Sequence, residues 1–169
     1  KVPTGKLLED PYHFWYIGKS YYDSTLGDYP LGMDHIKEYA RRSIFYFGQY
    51  INFRHNYHET GRASGIDELG YFAMYAMGDL FKLCGNYEKA LDCGMKAEEF
   101  APSRNEHIVL QAECFKDLSD FDSMKVQTER LMSPDRKLPF PEYNFLLNME
   151  HYNDSGKYCE QLHQIANQV

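Results

Sequence analysis

Apolar positions recur along this chain with the period of an α-helix almost from end to end. Ile36, Tyr39, Ala40, Ile44, Phe47, Tyr50 and Ile51 form one such stripe, the spacing that lines one side of a helix. Asp10-Pro11 reads as an N-cap followed by proline at the first helical position, so a helix is predicted over about 11–24. A second, unusually long one is predicted from near Pro30 to about His55. The stretch 56–65 has two glycines and mixed polar residues, and is predicted to be a loop. Further helices are predicted over about 66–83, 87–100, 104–118, 121–132, 142–152 and 157–167. Val, Ile and Thr never cluster in strict alternation, so no strand is expected. Residues 1–10 are expected to be a linker and 11–169 a single helical domain.

Within this pattern one unit stands out. Gly78, Phe81, Gly85, Tyr87, Ala90, Ala97 and Pro102 fall at the spacings of a tetratricopeptide (TPR) repeat. Glycine inside a helix costs about 1 kcal/mol relative to alanine. It is tolerable at Gly78 if the second helix of a pair crosses too closely for a side chain. Gly85-Asn86 can leave the helix through a left-handed residue. Tyr87 then packs back over the turn, Ala90 and Ala97 give the second helix a thin inner face, and Pro102 ends it. A shift by one repeat length carries Gly78, Phe81, Gly85 and Tyr87 onto Ala112, Phe115, Ser119 and Phe121. A shift of slightly more than two repeat lengths reaches Met149, Tyr152, Gly156 and Tyr158, the excess falling in the proline-rich connector 133–141. A backward shift reaches Gly18 and Tyr21 and, after a longer turn, Gly27 and Tyr29. The expected fold is therefore all-α, a TPR-like α-solenoid of about four helix pairs in a right-handed superhelix. A long second helix and its loop occupy about 30–65.

Composition narrows the function. At 169 residues, with 43% hydrophobic and 16% aromatic residues, the chain can bury a core as one domain or one short solenoid. A net charge of −7 disfavours a nucleic-acid backbone or an anionic membrane as main partner. No apolar run approaches the roughly 18 residues of a spanning helix. Cys84, Cys93, Cys114 and Cys159 are dispersed without a CxxC pair. They are expected to be reduced, in a cytoplasmic setting. The chain begins at Lys1 without Met, and is expected to be a piece of a longer protein.

The order of the aromatic phrases extends the resemblance. Phe14-Trp15-Tyr16-Ile17-Gly18-Lys19-Ser20-Tyr21-Tyr22-Asp23 is followed by Gly27-Asp28-Tyr29. Next come Tyr71-Phe72-Ala73-Met74-Tyr75-Ala76-Met77-Gly78-Asp79-Leu80 and Gly85-Asn86-Tyr87-Glu88-Lys89-Ala90-Leu91. Ala101-Pro102-Ser103-Arg104-Asn105-Glu106, the Pro139-Phe140-Pro141 connector and Asn153-Asp154-Ser155-Gly156-Lys157-Tyr158 complete the series. Over about residues 8–166 this order resembles the helical region that follows the catalytic domain in family 2 glycosyltransferases of bacteria, phages and large DNA viruses. The long second helix and its loop depart from that pattern. The resemblance implies a nucleotide-sugar donor and a divalent metal for an upstream domain only. For these residues it implies an accessory, non-catalytic role, either shaping the acceptor site or joining subunits. The competing expectation is a TPR adaptor for protein–protein contact unrelated to sugar transfer.

The candidate chemistry agrees with a non-catalytic segment. Asp120-Phe121-Asp122 has the Asp-x-Asp form of a metal site, but it falls in an inter-helix turn, where the carboxylates suit N-terminal capping. His55 and His58 share a helical face and lack a nearby third ligand. No P-loop, GxGxxG or nucleophile–His pattern is present. No catalytic residue, metal ligand or cofactor is therefore expected here. In a TPR stack the first helix of each pair lines the concave side. That geometry predicts a groove of Tyr12, Trp15, Lys19 and Tyr22, then Phe72, Tyr75, Asp79 and Lys82. Glu106, Val109, Glu113 and Lys116 follow, and Tyr143, Leu146 and Glu150 belong to the last pair. Its expected occupant is a protein partner or a carbohydrate acceptor, because aromatic rings offer large contact area with few rotors. Burial of the same rings against a neighbouring domain or against the long second helix is the competing expectation and weighs at least as much, and a homo-oligomer stays open. The clamp form of the repeat, which holds peptide C-termini, needs asparagines where Lys19 and Asp79 stand, so that role is not expected.

Overall fold

The structure, a computed structural model, describes residues 11–27, 33–58 and 68–133, together with positions 164 and 167. The described residues are helical and contain no strand. In chain order the elements are α1 (Pro11–Leu26), α2 (Met33–His58), α3 (Glu68–Leu83), α4 (Tyr87–Phe100), α5 (Glu106–Asp117) and α6 (Phe121–Leu131). The expected linker, the 133–141 connector beyond Ser133 and, apart from positions 164 and 167, the last helix pair lie outside the described residues. So do Asp28, Tyr29, Tyr143, Leu146, Met149, Glu150 and Cys159.

Neighbours in sequence are neighbours in space. Each of α1–α2, α3–α4 and α5–α6 packs as a pair, α2 meets α3, α4 meets α5, and the first helices also touch along the row α1–α3–α5. Short turns force the reversal: Cys84-Gly85-Asn86 joins α3 to α4, and Leu118-Ser119-Asp120 joins α5 to α6.

Those two turns are built alike, one repeat length apart. Gly85 has φ +76° and Ser119 has φ +59°, the left-handed position that ends many helices. The Gly85 amide donates to Lys82 O at 2.9 Å and the Asn86 amide to Phe81 O at 2.8 Å. In the second turn Ser119 donates to Lys116 O at 3.0 Å and Asp120 to Phe115 O at 2.9 Å. Asn86 then caps α4 by accepting from Lys89 N at 3.3 Å, and Asp120 caps α6 by accepting from Ser123 N at 3.1 Å. Phe81 and Tyr87 pack around Ala90, as Phe115 and Phe121 pack around Ala112 and Met124.

Glycines mark the closest approaches. A Cβ on Gly78 would stand 3.2 Å from Ala90 O and 3.2 Å from Cys93 Cβ on α4. It would be only 2.6 Å from Leu110 Cδ2 on α5, so the tightest neighbour comes from the next pair, and the expected partner α4 stands behind it. In the first pair a Cβ on Gly18 would stand 2.9 Å from the Phe47 ring of α2. Ala90, Ala97 and Ala112 are fully buried. The largest core cluster joins the first pair to α3 through Trp15, Tyr22, Ala40, Phe47, Tyr50, Phe72, Ala73, Ala76 and Leu80.

One boundary difference from the sequence expectation is at the end of α2. Asn56, Tyr57 and His58 belong to α2 rather than to a loop. No glycine or proline occurs between Ile51 and Glu59, so nothing in the backbone ends the helix where the apolar stripe fades.

Candidate functional site

A polar row runs across the three first helices. Asp79 and Lys82 lie three apart on α3, hence on one face, with Lys82 Nζ 3.7 Å from Asp79 Oδ1. The same ammonium pairs with Glu113 on α5. From the other side the Tyr22 hydroxyl of α1 donates to Asp79 Oδ2 at 3.0 Å. Tyr22, Asp79, Lys82 and Glu113 thus link α1, α3 and α5 through charged hydrogen bonds, which are stronger than neutral ones. Lys82, Asp79 and Glu113 are each between a fifth and a quarter exposed, so the row is both ordered and reachable.

Earlier on α3 a second group stands at the start of α5. The rings of Tyr71 and Tyr75 are parallel, 6.4 Å apart. The Tyr71 hydroxyl donates to Glu106 Oε2 at 2.9 Å and accepts from the His107 amide at 3.1 Å. Arg104 lies with its guanidinium 4.9 Å from the Tyr71 ring centre, and its Nε donates to Glu106 Oε1 at 3.0 Å. His107 Nε2 is 3.6 Å from Glu98 Oε2 of α4, and Glu98 also pairs with Arg130 of α6. This group ties four helices together.

Electrostatics keep the tyrosines protonated. Burial, then the nearby Asp79, hold the Tyr22 hydroxyl well above the usual phenol range. Tyr75 is raised by burial and by Asp79, Glu106 and Glu113, and Tyr71 by burial and Glu106. Burial alone would lower Lys82, but Glu113 and Asp79 outweigh it and hold the ammonium above its ordinary value. The face therefore offers hydroxyl donors, carboxylate acceptors and fixed cations.

The predicted groove residues divide into two sets. Trp15, Tyr22 and Phe72 are buried in the core among α1, α2 and α3. The Trp15 indole N–H donates to Leu69 O at 3.2 Å, and its ring lies 5.5 Å from Phe72 and 6.5 Å from Phe47. Lys19, Tyr75, Asp79 and Lys82 are partly exposed, and Tyr12 is exposed. Lys19 pairs with Asp23 at 2.6 Å and sits 5.8 Å from the Phe72 ring centre. The accessible part of the face is thus more polar than the sequence suggests. Tyr143 lies outside the described residues. Arg104, Tyr71, His107, Glu98 and Arg130 were not expected at the site. The i, i+4 spacing of Tyr71 and Tyr75 was the one sequence signal that points to them.

Asp120 is the N-cap of α6, and its hydrogen bond from Ser123 lowers its pKa. Phe121 packs beside Ala112 and Met124. Among the described residues no group of three or more His, Cys, Asp or Glu is placed to hold a metal ion. Cys84 is exposed, and Cys93 and Cys114 are buried thiols. No described helix is long and apolar enough to cross a membrane. No protein-family model matches the chain, and no curated protein matches it.

Proposed function

We propose that the chain is a TPR-like helical-repeat module that binds a partner on the face of its first helices and carries no catalysis of its own. The observation that carries this reading is the doubled turn: Gly85-Asn86 and Ser119-Asp120, one repeat length apart, share backbone geometry, hydrogen bonds and caps. Helix pairs that repeat in this way stack into a right-handed superhelix whose first helices form one continuous surface. Here that surface holds Lys19, Tyr75, Asp79, Lys82 and Glu113, with Tyr12 at its edge. Fixed donors and acceptors beside a stacked tyrosine pair suit a hydrogen-bonding ligand, whether a polar peptide or a sugar hydroxyl.

Within this reading the order of the aromatic phrases assigns the module to a family 2 glycosyltransferase, as the accessory domain that contacts acceptor or subunit. Nucleotide-sugar and metal would belong to its catalytic domain. Ligand-observed NMR with oligosaccharides and with polar peptides tests the assignment. Sugar binding that Asp79→Ala and Lys82→Ala both weaken is the expected result. Peptide binding without sugar binding leaves the adaptor reading, and binding that neither substitution alters removes this face from the proposal. A reading frame upstream of Lys1 that encodes no sugar-nucleotide domain removes the glycosyltransferase.

A further inference from the structure

Two tyrosines one turn apart on α3 have unequal surroundings. The rings of Tyr71 and Tyr75 are parallel within 4°, and carboxylates of α5 act on both. Tyr71 is complete. The Arg104 guanidinium stands 4.9 Å from its ring centre, and its hydroxyl donates to Glu106, which also accepts from Arg104. The same trio of ring, cation and carboxylate recurs twice on the first pair. Lys19 stands 5.8 Å from the Phe72 ring and pairs with Asp23, and Arg42 stands 5.6 Å from the Tyr21 ring and pairs with Glu38. Tyr75 has the ring and the carboxylates without the cation. Among the described residues no cation stands over its ring and no group hydrogen-bonds its hydroxyl.

The charge around Tyr75 says what would complete it. After burial, Asp79, Glu106 and Glu113 raise its hydroxyl most, with Arg104 opposing them. Both nearby cations are already engaged: Arg104 with Glu106, and Lys82 shared between Asp79 and Glu113. Tyr75, Asp79 and Glu113 are partly exposed, so a cation from solution can reach them. Among the described residues no three His, Cys, Asp or Glu converge as metal ligands, which favours a broader cation that brings its own N–H donors. An ammonium group has three donors for carboxylate and phenol oxygens and a charge that the ring face attracts. It also complements a chain of net charge −7.

We propose that the face at Tyr75, between Asp79 and Glu113, holds a protonated primary amine of the bound ligand. The inference rests on the reading of this face as a binding surface and adds the group that the surface selects. Such an amine comes from an unacetylated amino sugar or from a lysine side chain. Titration calorimetry on the full chain at mildly acidic pH separates these sources with four probes: a glucosamine trisaccharide, its N-acetylated form, a lysine-bearing peptide and its acetyl-lysine form. Acetylation removes the charge and keeps most of the shape. The expected result is that one amine probe binds and that its acetylated form binds about tenfold more weakly. Glu113→Gln and Tyr75→Phe are each expected to weaken the amine probe and to narrow that difference. An acetylated probe that binds as well as its amine form overturns the inference and leaves the binding surface standing. So does amine binding that neither substitution alters. Failure of all four probes also overturns it, and the surface then stands or falls on neutral oligosaccharides. If Glu113→Gln lowers the melting temperature, Tyr75→Phe, which removes only a hydroxyl, decides.

Discussion

The first helix pair and the four helices after it hold themselves together by different means. Between α1 and α2 the contacts are rings. Phe14 stacks on Phe53 at 5.3 Å and on Tyr46 at 6.4 Å, Tyr46 stacks on Tyr21 at 6.0 Å, and Phe47 fills the space above Gly18. From α3 to α6 the contacts are small residues and charged pairs. Gly78, Ala90, Ala97 and Ala112 let helices approach, and Lys82–Glu113 and Glu98–Arg130 cross between them. The glycine has a different role in each region. Gly18 makes room for one neighbouring ring, whereas Gly78 makes room for the Leu110 side chain of α5 and also for Ala90 O and Cys93 Cβ of α4. A ring can tilt and a backbone carbonyl cannot, so the second region should tolerate less change.

Substitutions at the two centres make that contrast measurable. Trp15 belongs to the ring-packed region and is 4% exposed. Trp15→Ala should cost about 3–5 kcal/mol, the usual range for a buried aromatic truncated to alanine. Denaturant titration measures it, and a loss under about 1 kcal/mol would return Trp15 to the binding face. Gly78→Leu should cost about 1–3 kcal/mol through overpacking against Leu110 and Ala90 O. Gly18→Ala should cost less than Gly78→Ala, because the three atoms nearest a Cβ at Gly18 all belong to one ring, Phe47, whereas those at Gly78 come from two helices and include a carbonyl oxygen. Thermal melts of the two alanine variants rank them, and the opposite order would dissolve the distinction drawn between the regions.

What the sequence disclosed follows the same division. The α4 limits, Tyr87 and Phe100, match the expectation because local signals set both ends: an Asn86 cap and Pro102 just beyond. The α5 start moves from 104 to 106 because Arg104 leaves the helical course to pair with Glu106 under the Tyr71 ring, which belongs to a helix of the previous pair. In the ring-packed region α1 is aromatic on nearly every side. Periodicity alone could not say which of Tyr12, Trp15, Tyr16 and Tyr22 faces the core. The Asp79–Lys82 pair was readable from its spacing, but its bond to Glu113 depends on which helices abut, and one helix does not carry that information.

The doubled turn gives a smaller, reciprocal test within the second region. Ser119 holds a left-handed conformation that strains a residue with a Cβ, while Gly85 holds the same one freely. Ser119→Gly should therefore stabilise by up to about 1 kcal/mol, and Gly85→Ser should destabilise by about as much. Equal effects of opposite sign in thermal melts support two copies of one turn. A neutral Gly85→Ser would mean that the two turns share only their outline.

The smallest effect comes from the thiols, which only the second region has among the described residues. Burial, the largest cause in each, pushes Cys93 up to about 11 and Cys114 up to about 12. An unfolded chain releases thiol protons near pH 8.5, so above that pH the unfolded state binds fewer protons than the native one. Both folded values are raised, hence the stability is fully present below about pH 8.5 and is lost as pH rises toward the folded values. Tyr22, Tyr71 and Tyr75, raised first by burial, act in the same direction at higher pH. The melting temperature should decline between pH 8 and pH 10, and Cys93→Ala with Cys114→Ala should flatten the early part of the decline. Site-resolved alkylation at pH 8 should label Cys84 well before Cys93 or Cys114, since Cys84 is exposed and the others are not. If Cys93 is labelled as fast as Cys84, the α4 seam beneath Gly78 opens readily, and the charged pairs on either side of it do not close it as tightly as the rings close the first pair.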